Sequence, residues 1–229
     1  MPAIKPIHII CDDGVTRSQL NAVIDGINEL LQIAQVTDII EVKNFGVWRH
    51  EKWKKGRDLI PHHSVDWYLE NAFTGKQNEQ GDYQLHTGAI INSFSAEPLQ
   101  RVLPHYDVLV TTLDLWTGSR DNSWVLGSAQ TFTGTVISTY RWRKFSDADQ
   151  YRFIRTEAEH EFGHVLGLPD INRKDLEFSI GLHCCNDNCV MRQGLNLQQW
   201  ITHTLERERY GPLCSQCTDD IRWFFRHRD

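Results

Sequence analysis

Two histidines and a glutamate form the pattern H-E-x-x-H at residues 160–164 of this chain of 229 residues. Side chains four residues apart in an α-helix lie on one face, so His160 and His164 can bind one metal ion through two imidazole nitrogens. Glu161 lies beside them, where it misses the ion but can take a proton from a water that the ion holds. Metal-assisted hydrolysis requires this division of roles.

The residues after the second histidine offer a third ligand. Gly167 stands three residues beyond His164, and glycine lets the backbone turn sharply out of a helix. Asp170 stands three residues further on, and a carboxylate oxygen is an acceptable zinc ligand. Three protein ligands leave the fourth position of a zinc ion open for water, which distinguishes a catalytic zinc from a structural one.

Five of the six cysteines fall between residues 184 and 217, and only Cys11 stands apart. In a chain without an export signal, such clustering indicates a metal site, because the reducing cytosol keeps thiols available as ligands. Two disulfides, or buried free thiols, are the alternatives.

A β-α-β unit opens the chain. Residues 4–11 are β-branched and apolar, which predicts a buried strand. Thr16 and Gln19 form a capping box, and apolar residues then recur at helical spacing along one face, which predicts a helix. Residues 39–48 predict a second strand.

Further strands lead to the long helix that carries the histidines. Ser146 and Asp149 form a capping pair ahead of that helix. The other predicted elements are a helix at 64–73, a strand at 107–116, two strands within 124–140, and helices at 196–209 and 218–226. This order predicts an α/β fold with a mixed sheet, and nothing in it marks a boundary between independent domains.

The motif and the cysteines together resemble the archaemetzincins of the metzincin clan, zinc peptidases whose extended motif is H-E-x-x-H-x-x-G-x-x-H. The pair His183-Cys184, then Cys189 with Val190-Met191, and later a C-x-x-C pair are similar to that family's second zinc site. The resemblance covers roughly residues 105–220. It implies a metzincin-like fold, with a twisted mixed sheet, a long active-site helix and a small C-terminal helical lobe that holds a structural zinc.

The chain departs from the family at the third ligand of the catalytic zinc. The family has histidine three residues after the glycine, directly followed by cysteine, whereas this chain has Asp170 there and its His-Cys pair comes later. An insertion at about 169–182 separates the two. Asp170 is favoured as the ligand because its spacing from Gly167 needs no assumption about the loop; His183, returned by a looped-out insertion, is the alternative.

The resemblance also assigns the cysteines and a methionine. It implies a structural zinc held by four thiolates, and its register prefers Cys184 to Cys185 as the first of them. Met191 corresponds to the Met-turn residue, an apolar thioether beneath the catalytic ion, although simple core packing predicts nearly the same environment. The expected thiolate ligands are Cys184, Cys189, Cys214 and Cys217.

These observations predict a zinc-dependent peptidase with two zinc ions, one catalytic and one structural, and with Glu161 as general base. Residues 1–229 would form one catalytic domain, with an upper lobe at about 1–167 and a lower lobe at about 168–229. By the same resemblance, a peptide or protein substrate would add as an extended strand along residues 124–130. The alternative is a non-catalytic zinc protein that uses the four-cysteine site to bind a partner.

Composition argues against other classes of protein. The formal net charge is −6, which disfavours a general nucleic-acid binder even though residues 47–67 interleave tryptophans with basic residues. No apolar run approaches the ~18 residues of a membrane span, and residues 1–14 lack a signal-peptide pattern. We therefore expect a soluble, cytoplasmic protein with no nucleic-acid or membrane partner.

Overall fold

The computed structural model describes residues 4–48, 64–96, 99–118, 124–178 and 181–227. The strands within these residues are β1 (Ile7–Cys11), β2 (Val42–Gly46), β3 (Phe73–Gln77), β4 (Tyr83–His86), β5 (Tyr106–Thr111), β6 (Asp114–Trp116), β7 (Gly127–Gln130), β8 (Gly134–Ser138), β9 (Leu176–Glu177) and β10 (His183–Cys184). The α-helices are α1 (Arg17–Ala34), α2 (Val65–Ala72), α3 (Thr87–Ala96), α4 (Leu99–Val102), α5 (Asp147–Val165), α6 (Leu197–Tyr210) and α7 (Ser215–Arg226).

A five-stranded sheet in the order β2-β1-β5-β8-β7 forms the centre of the fold. Its first four strands are parallel, and β7 is antiparallel to β8 at one edge. One face of β5 packs through Val108 and Val110 into a core that includes residues of α1, α5 and α7, and the other face packs through Leu109 against α2 and α3. The predicted α/β class with a mixed sheet is confirmed.

Long-range hydrogen bonds divide the predicted strand at 107–116 into β5 and β6. Asp12, at the end of β1, accepts hydrogen bonds from the hydroxyl of Thr111 and from the backbone N–H of Thr112, both at 2.7 Å. The hydroxyl of Thr111 also accepts from the N–H of Leu113 at 3.1 Å. The chain therefore turns after β5, and β6 pairs with β4 in a second sheet.

The second sheet has three strands in the order β3-β4-β6. Two of them, β3 and β4, lie mostly within residues 74–88, a polar segment in which the sequence predicts no strand. Every residue of β3 is exposed, so the strand carries no alternation of apolar and polar residues. The stretch of tryptophans and basic residues at 47–67 falls mostly within 49–63, outside the described residues.

Capping begins both long helices where the sequence predicts it. The Thr16 and Gln19 capping box is present at the start of α1, and the Ser146 hydroxyl accepts from the N–H of Asp149 at the start of α5. After α5 the chain leaves the helix at Gly167, whose φ of 77° lies in the left-handed region that glycine tolerates. None of the described helices combines the length and apolarity that crossing a bilayer demands.

Buried charges pin α5 to the helices on either side of it. Arg207 of α6 donates hydrogen bonds to Glu159 of α5 and to Glu29 of α1. The side chain of Glu159 is fully buried, and that of Arg207 is 12% exposed. This pairing connects α5 to α6 and to α1 at Glu159, the residue that precedes His160.

Candidate metal centres and cleft

Three histidines meet at the C-terminal end of α5. His160 and His164 come from the helix and His183 comes from β10, and one ligand atom from each lies within 4.8 Å of the others. The Nε2 atoms of His160 and His164 are 3.2 Å apart. The helical spacing that suggested a shared ion therefore brings these two rings together.

Backbone carbonyls fix the tautomers of the two helical rings. The Nδ1 of His160 donates to the carbonyl of Val190 at 2.6 Å, and the Nδ1 of His164 donates to the carbonyl of Leu168 at 2.8 Å. Because a carbonyl only accepts, each Nδ1 carries the proton and each Nε2 carries a lone pair. Two lone pairs that face each other at 3.2 Å repel unless a cation lies between them.

This geometry fits a zinc ion. Zinc binds imidazole nitrogen at about 2.0–2.1 Å, and two ligands at tetrahedral positions are then about 3.3 Å apart. Burial, followed by the neighbouring histidines, holds the pKa of His160 well below its ordinary value, and burial with His183 lowers the pKa of His164 to about 4. Both rings are therefore neutral near pH 7, as metal ligands must be.

Asp170 lies outside this cluster. Its carboxylate accepts hydrogen bonds from the backbone and side chain of Asn172, at 2.7 and 2.9 Å, and its backbone N–H donates to Asp220 at 3.1 Å. It lines a separate cavity together with residues of α7. The residue that the sequence favoured as third ligand is thus turned toward α7, and the alternative, His183, is the one that stands beside His160 and His164.

Glu161 faces the edge strand β7. It is 7% exposed, and burial raises its pKa to about 8. A Cβ added to Gly127 of β7 would lie 2.6 Å from the Cγ of Glu161, closer than side-chain atoms approach. Glycine at position 127 therefore leaves the space that the Glu161 side chain occupies.

A cleft of about 460 Å³ opens over these groups. Residues of β7 form one wall, Glu161 and the three histidines lie at its base, and Trp200 of α6 lies on another side. The Trp200 ring packs edge-on against His160, with centroids 4.9 Å apart. The sequence analysis did not identify Trp200 as a site residue, because its position on the apolar face of a helix has the pattern of an ordinary core residue.

Met191 is fully buried and lies against α5 at Gly163. A Cβ added to Gly163 of α5 would lie 2.4 Å from its sulfur, so the thioether packs directly on the helix backbone between the two histidines. This contact explains why the position before His164 holds glycine.

Four cysteines form a second cluster, and all six cysteines of the chain are free thiols. One sulfur from each of the four lies within 4.8 Å of the others, and the Cys184 and Cys214 sulfurs are 3.8 Å apart. Zinc binds thiolate at about 2.3 Å, so the edge of a four-sulfur tetrahedron is about 3.8 Å. The cluster is therefore compatible with a structural zinc, and exposed Cys185 lies outside it. Its members are Cys184, Cys189, Cys214 and Cys217.

Comparison with known proteins identifies related chains. No family model matches the chain. Over 70 residues it is 36% identical to the archaemetzincin of Nanoarchaeum equitans (strain Kin4-M), a segment that covers 31% of this chain and 29% of that protein. The crystal structure of archaemetzincin from Methanopyrus kandleri superimposes with a TM-score of 0.61 at 17% identity, covering 98% of this chain and 97% of that one. The chain is therefore archaemetzincin-like, by its fold over nearly its whole length and by its sequence over this shorter segment.

Proposed function

We propose that this chain is a zinc-dependent peptidase whose catalytic zinc is held by His160, His164 and His183. The observation that carries the proposal is the pair of unprotonated Nε2 atoms that face each other at 3.2 Å, with a buried carboxyl group beside them in the cleft. The archaemetzincin-like fold supports the same class of activity. Zinc at this position would activate a bound water and polarise the carbonyl of the bond to be cleaved.

Glu161 acts as the general base in this proposal. Its carboxylate accepts the proton of the attacking water and returns it to the amine that leaves. A pKa of about 8 in the metal-free protein lies near the working pH, where a group can both accept and donate protons. A bound cation would lower this value and favour the carboxylate, which is the form that the first step needs.

Two features support His183 rather than Asp170 as the third ligand. His183 already stands with the helical histidines, whereas the Asp170 carboxylate is engaged by Asn172 at 2.7 and 2.9 Å. The backbone of Asp170 is also tied to Asp220 at 3.1 Å. Three histidines would leave one position of the ion open toward the cleft, as catalysis requires.

The substrate would be a peptide or an extended segment of a protein, bound along β7. This strand lies at the edge of the five-stranded sheet, antiparallel to β8, and it borders the cleft. An extended chain can add to such an edge through main-chain hydrogen bonds, while pockets select its side chains. Trp124 and Trp200 are large apolar groups in the cleft wall that such pockets would use.

The four-cysteine cluster is the proposed second, structural zinc site. Four thiolates fill the coordination sphere and leave no position for water, so this ion would stabilise the fold and take no part in hydrolysis. It would connect β10 to the start of α7, because Cys184 lies on β10 and Cys214 and Cys217 flank the start of α7.

A comparison of Glu161→Gln with wild type tests the activity. Both proteins are loaded with zinc and incubated with a peptide library, and the cleavage products are identified by mass spectrometry. We expect the variant to keep its zinc and to lose cleavage by roughly 100-fold or more. Glu70→Gln, at an exposed position of α2, is the control and should cleave like wild type. If wild type cleaves nothing that Glu161→Gln leaves intact, the peptidase proposal fails and a non-catalytic zinc protein remains.

A further inference from the structure

Arg173 lies against the four-cysteine cluster. Its Nη2 donates to the sulfur of Cys184 at 2.7 Å, and its Nη1 donates to the sulfur of Cys217 at 3.3 Å. One guanidinium therefore contacts two of the four sulfurs, and it does so through two different nitrogen atoms. Its side chain is only 11% exposed, so these contacts are largely shielded from water.

The guanidinium is held in this position by a second set of contacts. The Nη1 of Arg173 also donates to the Asp220 carboxylate at 2.9 Å, and the same Asp220 oxygen accepts from the backbone N–H of Asp170 at 3.1 Å. The Nη2 donates to the carbonyl of Asp175 at 3.5 Å. Asp220 on α7 thus fixes both ends of the segment 170–173, and the arginine is oriented toward the sulfurs by partners outside the cluster.

The charge of the cluster gives this contact its significance. Four thiolates around one divalent cation carry a net charge of −2, and a partly buried charge of that size is costly unless it is compensated. One guanidinium compensates half of it. Charge-assisted N–H···S hydrogen bonds also withdraw electron density from the two sulfurs, which makes them poorer nucleophiles toward external reagents.

We propose that Arg173 is a positioning residue of the four-thiolate zinc site, which raises the affinity of the site for divalent metal and protects the Cys184 and Cys217 thiolates from attack. This inference rests on the proposed structural zinc. It assigns a role to the insertion at 169–182: the inserted segment places a fixed cation over the cluster.

Metal titration of the metal-free full-length protein tests the first part. Co²⁺ bound by thiolates gives a sulfur-to-metal charge-transfer absorption, which reports the four-cysteine site separately from the histidine site, and Zn²⁺ competition then gives the zinc affinity. We expect Arg173→Met to weaken binding at this site about 10- to 100-fold, as loss of groups that contact metal ligands does. Arg173→Lys keeps the charge but cannot bridge two sulfurs. Its zinc affinity at this site should therefore fall between those of wild type and Arg173→Met. Lys174→Met removes the same charge from the adjacent, exposed residue and should bind like wild type.

Thiol reactivity tests the second part. The zinc-loaded proteins are treated with iodoacetamide, and modification of Cys184 and Cys217 is followed by mass spectrometry. Arg173→Met should be alkylated about tenfold faster than wild type and Lys174→Met, a difference that a purely structural effect on folding would not confine to these two sulfurs. If Arg173→Met matches wild type in affinity, or if Lys174→Met weakens binding equally, the role of Arg173 is refuted. Absence of any charge-transfer band in wild type would instead refute the four-thiolate metal site itself.

Discussion

His183 and Cys184 are consecutive residues of β10, and their side chains belong to different clusters. Successive side chains of a strand point to opposite sides, so His183 joins the histidines of α5 while Cys184 joins the cysteines that lead into α7. The pairing of β10 with β9 holds this dipeptide in register. The two clusters are therefore adjacent, and a shift of β10 would move a member of each.

The identity of the third zinc ligand can be tested by substitution. We expect His183→Ala to bind about one zinc ion per chain where wild type binds about two, because the histidine cluster would keep only two imidazoles. Asp170→Asn should still bind about two. Elemental analysis of the purified proteins gives both values. Loss of one zinc ion from Asp170→Asn, with both ions kept by His183→Ala, would show that Asp170 is the third ligand.

Substitution of Gly127 should separate catalysis from metal binding. A methyl group at this position would lie 2.6 Å from the Cγ of Glu161, so Gly127→Ala must displace the glutamate side chain. We expect cleavage to fall about 100-fold, the effect of misplacing a catalytic group by about 1 Å, with the zinc content unchanged. Ser128→Ala, at the next position of β7, should retain activity. Normal activity in Gly127→Ala would show that the Glu161 carboxylate does not need its present position.

Acid should destabilise the metal-free protein through His164. The pKa of His164 is lowered to about 4 by burial and by His183, against 6.5 for an exposed histidine. Between these values the unfolded chain binds a proton that the folded chain does not, so the free energy of unfolding falls as the pH drops from about 6.5 to 4. Urea unfolding of chelator-treated protein at a series of pH values measures this dependence. In His164→Asn the free energy of unfolding should depend less steeply on pH. Equal slopes in the two proteins would show that His164 does not cause the dependence.

The buried pairing of Arg207 with Glu159 should contribute strongly to stability. Arg207→Met removes the nearer cation of the fully buried Glu159 side chain and leaves Arg155, whose Nε lies 3.4 Å from the carboxylate. Breaking a buried ion pair costs about 3–5 kcal/mol in the free energy of unfolding, and because Arg155 remains we expect the lower end of this range, about 3 kcal/mol. Arg209→Met, at an exposed position of the same helix, should change stability by no more than about 0.5 kcal/mol. Urea denaturation of the two variants measures the difference. Equal stabilities would show that the pairing of Arg207 with Glu159 does not stabilise the fold.

Local signals predicted α1 and also α5, the helix that carries His160 and His164. The spacing of His160 and His164, and the caps at Thr16 and Ser146, depend on residues a few positions apart, and the structure has these features where the sequence indicates them. The surface strand β3 has no such signal, because every one of its residues is exposed. Its existence depends on pairing with β4, which no local pattern of polar residues reveals.

The choice between Asp170 and His183, and the contacts of Arg173 and Trp200, depend on segments that meet only when the chain folds. The direction of the chain after Gly167 is set by the hydrogen bond from Asp170 to Asp220, fifty residues away. Counting positions along the motif cannot anticipate that bond, so Asp170 and His183 could not be separated by spacing alone. Arg173 and Trp200 likewise acquire their contacts with Cys184 and His160 only when the segments fold together.

The length of β7 limits what the cleft can recognise. Four residues in a strand span about 14 Å. A chain paired along β7 would therefore present only a few alternating side chains to the cleft. Helices and the inner strands of a sheet do not offer their backbone in that form, because its N–H and C=O groups are already paired. Protein targets would therefore have to present an edge strand, a loop, a frayed terminus or a locally unwound segment, and selection among them would depend on conformation as well as on sequence.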